Sequence, residues 1–298
     1  MFVGSIGEFR LIERFRRQIK LDSSVIKGSG DDCAVMAFDK GNYLLFTCDM
    51  IIENIDFTRH DPAHLIGRKA LAISLSDIAA CAGIPRYALV SLGIPRITSL
   101  RFIDRVFAGM NALAKEYKVN LVGGDISKSK ELIIDVSMIG CVEKSRLVLR
   151  SGARVGDAIF VSAPLGGSIK GKHLTFKPRL REARFLAGHF KINSMIDISD
   201  GLAQDLGHLA RASEVGAVLF ENAIPLAKHS CGLKDALFAG EDFELLFTLS
   251  QKESKSLLSQ SKYHFYCIGK IVRKKWGVTL SAKDGTQHII PAKGFKHF

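Results

Sequence analysis

Five short stretches of this 298-residue chain end in an aspartate set beside glycine or a small polar residue. They are Gly30-Asp31-Asp32, Thr47-Cys48-Asp49, Leu75-Ser76-Asp77, Gly123-Gly124-Asp125 and Asp197-Ile198-Ser199-Asp200-Gly201. Carboxylates at the ends of apolar strands and helices cannot be buried unpaired without several kcal/mol of penalty, so a set of them calls for a shared cation. Hard oxygen ligands suit Mg²⁺, which gives up its water reluctantly and is held through a few carboxylates together with substrate phosphates. The pattern points to a site for nucleotide phosphates.

The elements around these motifs predict how they are placed. Ser5-Ile6-Gly7-Glu8 fits a capping box that opens a helix with the apolar face Ile6, Phe9, Ile12, Phe15 and Ile19. Residues 33–38 and 43–48 flank Asp39-Lys40-Gly41-Asn42 as a β-hairpin, which sets Asp31-Asp32 and Asp49 side by side at its open end. Asp61-Pro62 starts a helix, with proline at its first position, that runs to Gly83-Ile84-Pro85 and is nearly apolar in its second half. Ser74, Ser76 and Asp77 are thus polar groups in a buried helix, serving either helix-to-helix hydrogen bonds or a metal. A strand over 86–94, a helix with the core face Ile103, Val106, Phe107, Met110, Leu113 and Tyr117, and a short strand over 119–122 lead to Gly123-Gly124-Asp125 as a turn. A strand over 131–143 closes the first half. The domain boundary is expected near Lys144, giving domains 1–144 and 145–298.

In the second half a strand over 158–161 precedes Pro164-Leu165-Gly166-Gly167-Ser168. That cluster lacks the spacing of a P-loop or dinucleotide fingerprint and fits a plain turn better. Asp197 and Asp200 lie just before or at the start of a helix with the face Leu202, Leu206, Leu209 and Ala210, where free N–H groups favour anions. Glu241 and Asp242, at the mouth of a turn running into a strand, are either turn-formers or ligand contacts.

Bulk composition narrows the class. Apolar residues make up 47%, charged residues 24% and aromatics 8%, the values of a folded, water-soluble chain. No apolar run reaches membrane-spanning length, and the charged start lacks a signal peptide, so a cytoplasmic protein without membrane attachment is expected. Six scattered cysteines form no Cys-x-x-Cys, which argues against a disulfide framework or zinc site and makes most of them small core residues. The net charge of +12 attracts polyanions. Its basic residues are dispersed without a nucleic-acid module, so phosphorylated small molecules are the better partner.

The motifs, taken in order, resemble the thiamine-monophosphate kinase family, within the superfamily that includes aminoimidazole ribonucleotide synthetase. The resemblance spans nearly the whole chain. It runs from Gly4-Ser5-Ile6-Gly7-Glu8-Phe9 through Gly67-Arg68-Lys69-Ala70-Leu71, Arg150-Ser151-Gly152-Ala153 and Gly240-Glu241-Asp242-Phe243-Glu244-Leu245 to Lys293-Gly294-Phe295-Lys296-His297-Phe298, with the five aspartate motifs between. It implies an α/β plus α+β, two-domain aminoimidazole ribonucleotide synthetase-like fold: an amino-terminal mixed sheet forming a homodimer interface and a carboxy-terminal α+β domain. ATP as co-substrate and several Mg²⁺ ions would lie between the domains. Asp32, Thr47, Cys48, Asp49, Asp77, Asp125, Asp197 and Asp200 match its metal positions, Cys48 through its backbone carbonyl. Gly124, Asp125, Arg150 and Ser199 match nucleotide contacts, Glu241 and Phe295 match acceptor contacts, and Asp56 stands at a third acceptor position, with Asp49, Asp125 and Arg150 as the catalytic set.

The implied activity is ATP-dependent phosphorylation of thiamine phosphate to thiamine diphosphate by direct in-line transfer. Three departures stand out. Asp56 replaces the family histidine in Ile52-Glu53-Asn54-Ile55-Asp56-Phe57, the segment after Gly171 is shorter than usual and ends in Phe176-Lys177-Pro178-Arg179-Leu180, and Ser74 stands where asparagine is usual. An anion at position 56 repels a phosphate ester unless a metal or proton intervenes. Two rival expectations follow: an ATP-using relative acting on another phosphorylated or carboxylated small molecule, and a catalytically silent nucleotide-binding paralogue.

Overall fold

The computed structural model describes residues 3–291 and 293–295. Lys296, His297 and Phe298 of the closing motif lie outside the described residues. The chain starts with α1 (Val3–Ile6) and α2 (Glu8–Arg16), broken at Gly7. Gly7 takes φ 78°, a left-handed conformation open to glycine at little cost, so Ser5 lies inside a short first helix where the capping box predicted the start of a single one. No residue of α2 is buried, and Ile12 and Phe15 of its apolar face are exposed.

Six strands form the first sheet: β1 (Val25–Lys27), β2 (Ala34–Ala37), β3 (Asn42–Ile52), β4 (Ile84–Ile94), β5 (Asn120–Lys128) and β6 (Ile133–Glu143). Their order is β1-β2-β3-β6-β4-β5, antiparallel throughout except for parallel β4 and β5. The predicted hairpin is β2 and β3, with Ala34 opposite Phe46. Asp39 closes its turn by accepting the Gly41 and Asn42 amides at 2.7 Å each. β3 continues past Cys48 to Ile52 because β6 pairs along its whole length, which makes Asp49 a mid-strand residue.

Alternation along the sheet separates two faces. Leu45, Ile51, Ala88, Val90, Ile134, Val136 and Met138 turn inward beneath α3 (Ala63–Ala80) and α4 (Leu100–Tyr117). The opposite face leaves Phe46, Met50, Tyr87 and Leu89 exposed. α3 is apolar on nearly every side and accordingly buried, touching β3 and β6 on one flank and α6 (Leu180–His189) and β8 (Ile192–Asp197) of the second half on the other. Its packing brings Asp77 between the halves.

The second half holds a seven-stranded sheet, with β7 (Ala158–Val161), β9 (Val215–Phe220), β10 (Leu245–Leu249), β11 (Tyr266–Arg273), β12 (Val278–Ser281) and β13 (Gln287–Ile289) joining β8 in the order β13-β12-β9-β11-β7-β10-β8. Its helices are α5 (Lys172–Thr175), α6, α7 (Leu202–Ala212), α8 (Leu233–Phe238) and α9 (Gln251–Ser259). Alternate residues serve two cores: Phe160 and Phe247 join the cluster that continues through α3 into the first half, while Ile159, Val161 and Leu246 pack with α7 and α8. The α/β plus α+β architecture agrees with the sequence expectation. Two cysteines, Cys33 and Cys81, are buried; the other four are exposed or half-buried, so the core role holds for a minority.

Candidate active site

Four elements converge on one group of carboxylates. Asp32 comes from the loop before β2, Asp49 from β3, Asp77 from α3 and Asp197 from the end of β8. Oxygens of Asp32, Asp77 and Asp197 lie within 4.8 Å of one another. Hydroxyls fix their rotamers: Ser74 donates to Asp49 Oδ2 at 2.7 Å, Ser76 to Asp197 Oδ2 at 2.6 Å, and Thr47 to Asp77 Oδ2. The two helix serines therefore aim carboxylates rather than join helices. Arg150, in the connection before β7, donates Nη2–H to Asp32 Oδ1 at 2.7 Å and its backbone N–H to Asp31 Oδ1 at 3.1 Å.

One arginine does not balance this charge. Burial, followed by the charges of Asp49, Asp197 and Asp32, pushes the Asp77 carboxyl well above the usual range. Burial and Asp32 push Asp197 up to about 7, and burial pushes Asp49 up to about 6. Asp31 is raised to about 6 by burial and by Asp32. Burial opposes the charge on Arg150, but the neighbouring carboxylates, Asp32 foremost, outweigh it and hold the guanidinium ionised. Asp32 Oδ2 and Arg150 Nε are both buried without a hydrogen-bond partner. Crowded hard oxygens, one of them orphaned, fit divalent cations, and the free Nε–H faces the need of an anionic oxygen.

This balance predicts a pH-dependent response to Mg²⁺. The folded-state pKa values of Asp49 and Asp197 lie above the ordinary 3.8, so between about pH 4 and 7 the folded chain binds more protons than the unfolded one and loses stability as pH rises. His208, held down at about 3 by burial and by Arg211, works the other way below its ordinary 6.5, but it is a single group. Mg²⁺ held by the cluster would displace the carboxyl protons, so millimolar Mg²⁺ is expected to raise the melting temperature several degrees more at pH 8 than at pH 5. Equal shifts in thermal melts at the two pH values would count against the cluster as the ion site.

Two cavities meet beside the cluster. One, of about 490 Å³, is lined by Asp49, Asp56, His173, Glu241, Phe243 and Phe295; the other, of about 680 Å³, by Phe9, Gly30, Asp31, Arg150, His208 and Arg211. Ser199 and Asp200 line both. Asp200 precedes α7, and its backbone carbonyl accepts the Phe295 N–H at 3.1 Å, which brings the tail to the first cavity.

Other residues singled out in the sequence are placed differently. Gly123-Gly124-Asp125 is no turn: β5 continues through it just past an irregularity at Val122, with Gly124 so close to β4 that a Cβ would lie 1.7 Å from the Val90 carbonyl oxygen. Gly124 and Asp125 are exposed on this edge strand, with Asp125 on the open face. Cys48 also points to the open face, its thiol donating to Asp135 Oδ2 at 3.2 Å, so only its backbone is left toward the cluster. Asp56 turns back to accept the Ile52 N–H at 2.7 Å. That bond closes the turn after β3, a structural role that the phosphate-repulsion argument left out. Asp242 is the turn-former of its pair: its fully buried carboxylate takes the Gly166 N–H at 3.0 Å and the Ser168 hydroxyl at 2.5 Å, so the glycine cluster cradles an anion of its own chain. Glu241 lines the cavity, paired with Lys69, a residue the sequence argument passed over although a lysine inside an apolar helix was the signal.

Residues 30–142 match the family model described as AIR synthase related protein, N-terminal domain, and residues 151–280 that of the C-terminal domain. Both halves thus define an AIR synthase related protein. The chain is 35% identical to the thiamine-monophosphate kinase of Bacillus subtilis (strain 168), over 98% of this chain and 100% of that one. It is 32% identical to that of Aquifex aeolicus (strain VF5), over the full length of both. The solved structure of AaThiL complexed with AMPPCP and TMP superposes with a TM-score of 0.88 at 31% identity, covering 100% of this chain and 99% of that one. The chain belongs to the thiamine-monophosphate kinase family. No helix among the described residues is long and apolar enough to cross a membrane.

Proposed function

We propose that this chain transfers the terminal phosphoryl group of ATP to thiamine phosphate, forming thiamine diphosphate, as a Mg²⁺-dependent homodimer in the cytoplasm, with domains 1–144 and 145–298. One observation carries this reading: beside the aspartate cluster two cavities share Ser199 and Asp200, with Asp49 lining one and Arg150 the other, room for each of two polyanions. Curated relatives named thiamine-monophosphate kinase, and a fold neighbour complexed with AMPPCP and TMP, support the choice of substrates.

The acceptor is an already ionised phosphate oxygen, so the site needs no strong general base. Its task is alignment of two anions: the bond from the terminal phosphorus to the bridging oxygen breaks as the bond to the acceptor oxygen forms, and ADP leaves. Arg150 offers its free Nε–H to a phosphate oxygen, and the Ser199 hydroxyl stands at the junction for another. Asp32, Asp49, Asp77, Asp197 and Asp200, with Thr47 and the Cys48 carbonyl, would hold Mg²⁺ ions, which supply neutralisation of phosphate charge. In the acceptor cavity Phe295 presents an aromatic face to a cationic heterocycle, and Glu241 a carboxylate.

Asp125 fits this scheme through the dimer. The exposed apolar face of the first sheet is suited to a twin sheet. A two-fold pairing that closes the sheets on one another sets the β5 edge of one subunit beside the β1-β2 edge of the other, which carries Asp31 and Asp32. Gly124 and Asp125 then belong to the nucleotide site of the opposite subunit.

Purified protein with ATP, Mg²⁺ and thiamine phosphate is expected to form thiamine diphosphate and ADP in equal amounts. ATP binding or hydrolysis without thiamine diphosphate would instead mark a relative with another phosphorylated or carboxylated acceptor. Neither binding nor turnover would mark a silent paralogue.

A further inference from the structure

Lys69 is a lysine with no exposed side-chain surface, in the middle of α3. A buried ammonium is held only where its hydrogen bonds and a counter-charge repay its lost hydration. Lys69 Nζ donates to the backbone carbonyl oxygen of Asp56 at 2.7 Å and to Glu241 Oε1. Those two acceptors lie on loops from opposite halves of the chain, and both residues line the 490 Å³ cavity. Glu241 also carries φ 57°, a left-handed backbone that a non-glycine residue adopts only where its surroundings hold it. Its own N–H donates to the Ser199 carbonyl at 2.7 Å, at the junction of the two cavities.

Resting on the function proposed above, we infer that Lys69 is the positioning residue of the acceptor cavity. It ties the 53–57 loop to the 240–243 loop and fixes the rotamer of Glu241 by taking one carboxylate oxygen. The other oxygen is left to the acceptor. Because Lys69 offsets the charge of Glu241, this carboxylate acts toward the acceptor as an oriented hydrogen-bond acceptor rather than as a free counter-ion. The feature it selects is an N–H donor on the heterocyclic end of the acceptor. ATP, on the far side of Ser199, does not depend on it.

The test is steady-state kinetics and melting of Lys69→Met, Glu241→Leu and the double variant, with thiamine phosphate and ATP as substrates. Lys69→Met is expected to raise KM for thiamine phosphate roughly tenfold to a hundredfold, with KM for ATP within about twofold of wild type. It also leaves Glu241 unpaired and melts earlier; the double variant removes that charge and regains most of the lost melting temperature. Acting through Glu241, Lys69 adds nothing once that acceptor is gone, so the double variant is expected to share the acceptor KM of Glu241→Leu. Acceptor KM values that multiply in the double variant would overturn the inference. So would a Lys69→Met enzyme whose active fraction falls while both KM values stay at wild type. Wild-type turnover of thiamine phosphate reports on the proposed function separately, and the ratios between variants report on Lys69.

Discussion

Exchange of Asp77 for asparagine is expected to lower kcat roughly a thousandfold and, in the absence of divalent ions, to raise the melting temperature by a few degrees. The two effects have one cause. Asp77 stands among Asp32, Asp49 and Asp197, and burial with three neighbouring carboxylates lifts its pKa far above that of an unfolded chain. At neutral pH that shift is an unfavourable contribution to folding, which a neutral amide of the same shape does not make. Asparagine keeps an oxygen for the Thr47 hydroxyl, so packing is preserved. On the proposed function, the carboxylate that loads the ion-free fold is the one that would hold the cation whose charge offsets that of the transferring phosphoryl group. Activity assays at saturating substrates and melts in chelator give the two numbers. A variant that melts earlier in chelator would mean that the cluster is balanced within the chain. A variant with unchanged kcat would place the chemistry elsewhere.

Much of this site was legible in the sequence because local rules fix it. The hairpin turn at Asp39 to Asn42 sets Asp31-Asp32 level with Asp49 by simple antiparallel pairing, and the apolar run after Asp61-Pro62 forces α3 and Asp77 inside. Asp197 and Asp200 fall before α7, where the periodicity begins. What the sequence left open depends on long-range pairing. Gly123-Gly124-Asp125 has the composition of a turn, yet β4 draws it into a strand whose glycines allow close approach to Val90. Asp56 lines the first cavity and also has a local partner, the Ile52 N–H, 2.7 Å away. Lys69 and Glu241 lie 172 residues apart, so nothing local could pair them. The pairing gives the Glu241 carboxylate an orientation that its sequence context does not show. The first helix failed for the opposite reason: its apolar periodicity was real, but little of the fold covers Ile12 and Phe15, and Gly7 breaks it.

A mixture of two inactive variants is expected to recover activity. Asp125 lies opposite Ser91 on β4, Ser91 opposite Asp135 on β6, and Asp135 opposite Met50 on β3, all on the open face. Three strand spacings amount to about 14 Å, and Asp49 and Asp77 lie beneath the other face, so an aspartate side chain cannot cross to the cluster of its own chain. If the twin subunit's cluster receives it instead, Asp125→Ala and Asp77→Asn each leave a homodimer with every site defective, with kcat down a hundredfold or more by order of magnitude. A heterodimer of the two has one site carrying both defects and one carrying neither. Co-expression in equal amounts makes half the dimers mixed, and the expected kcat is about a quarter of wild type, with differently tagged subunits purified to enrich the heterodimer toward about one half. Activity no higher than the mean of the parents would assign Asp125 to its own subunit, against the geometry of β5. Full activity of Asp125→Ala alone would remove it from the site altogether. Recovery to the expected fraction carries both claims together, because only a dimer closed through the open face lets an edge-strand carboxylate serve the opposite active site.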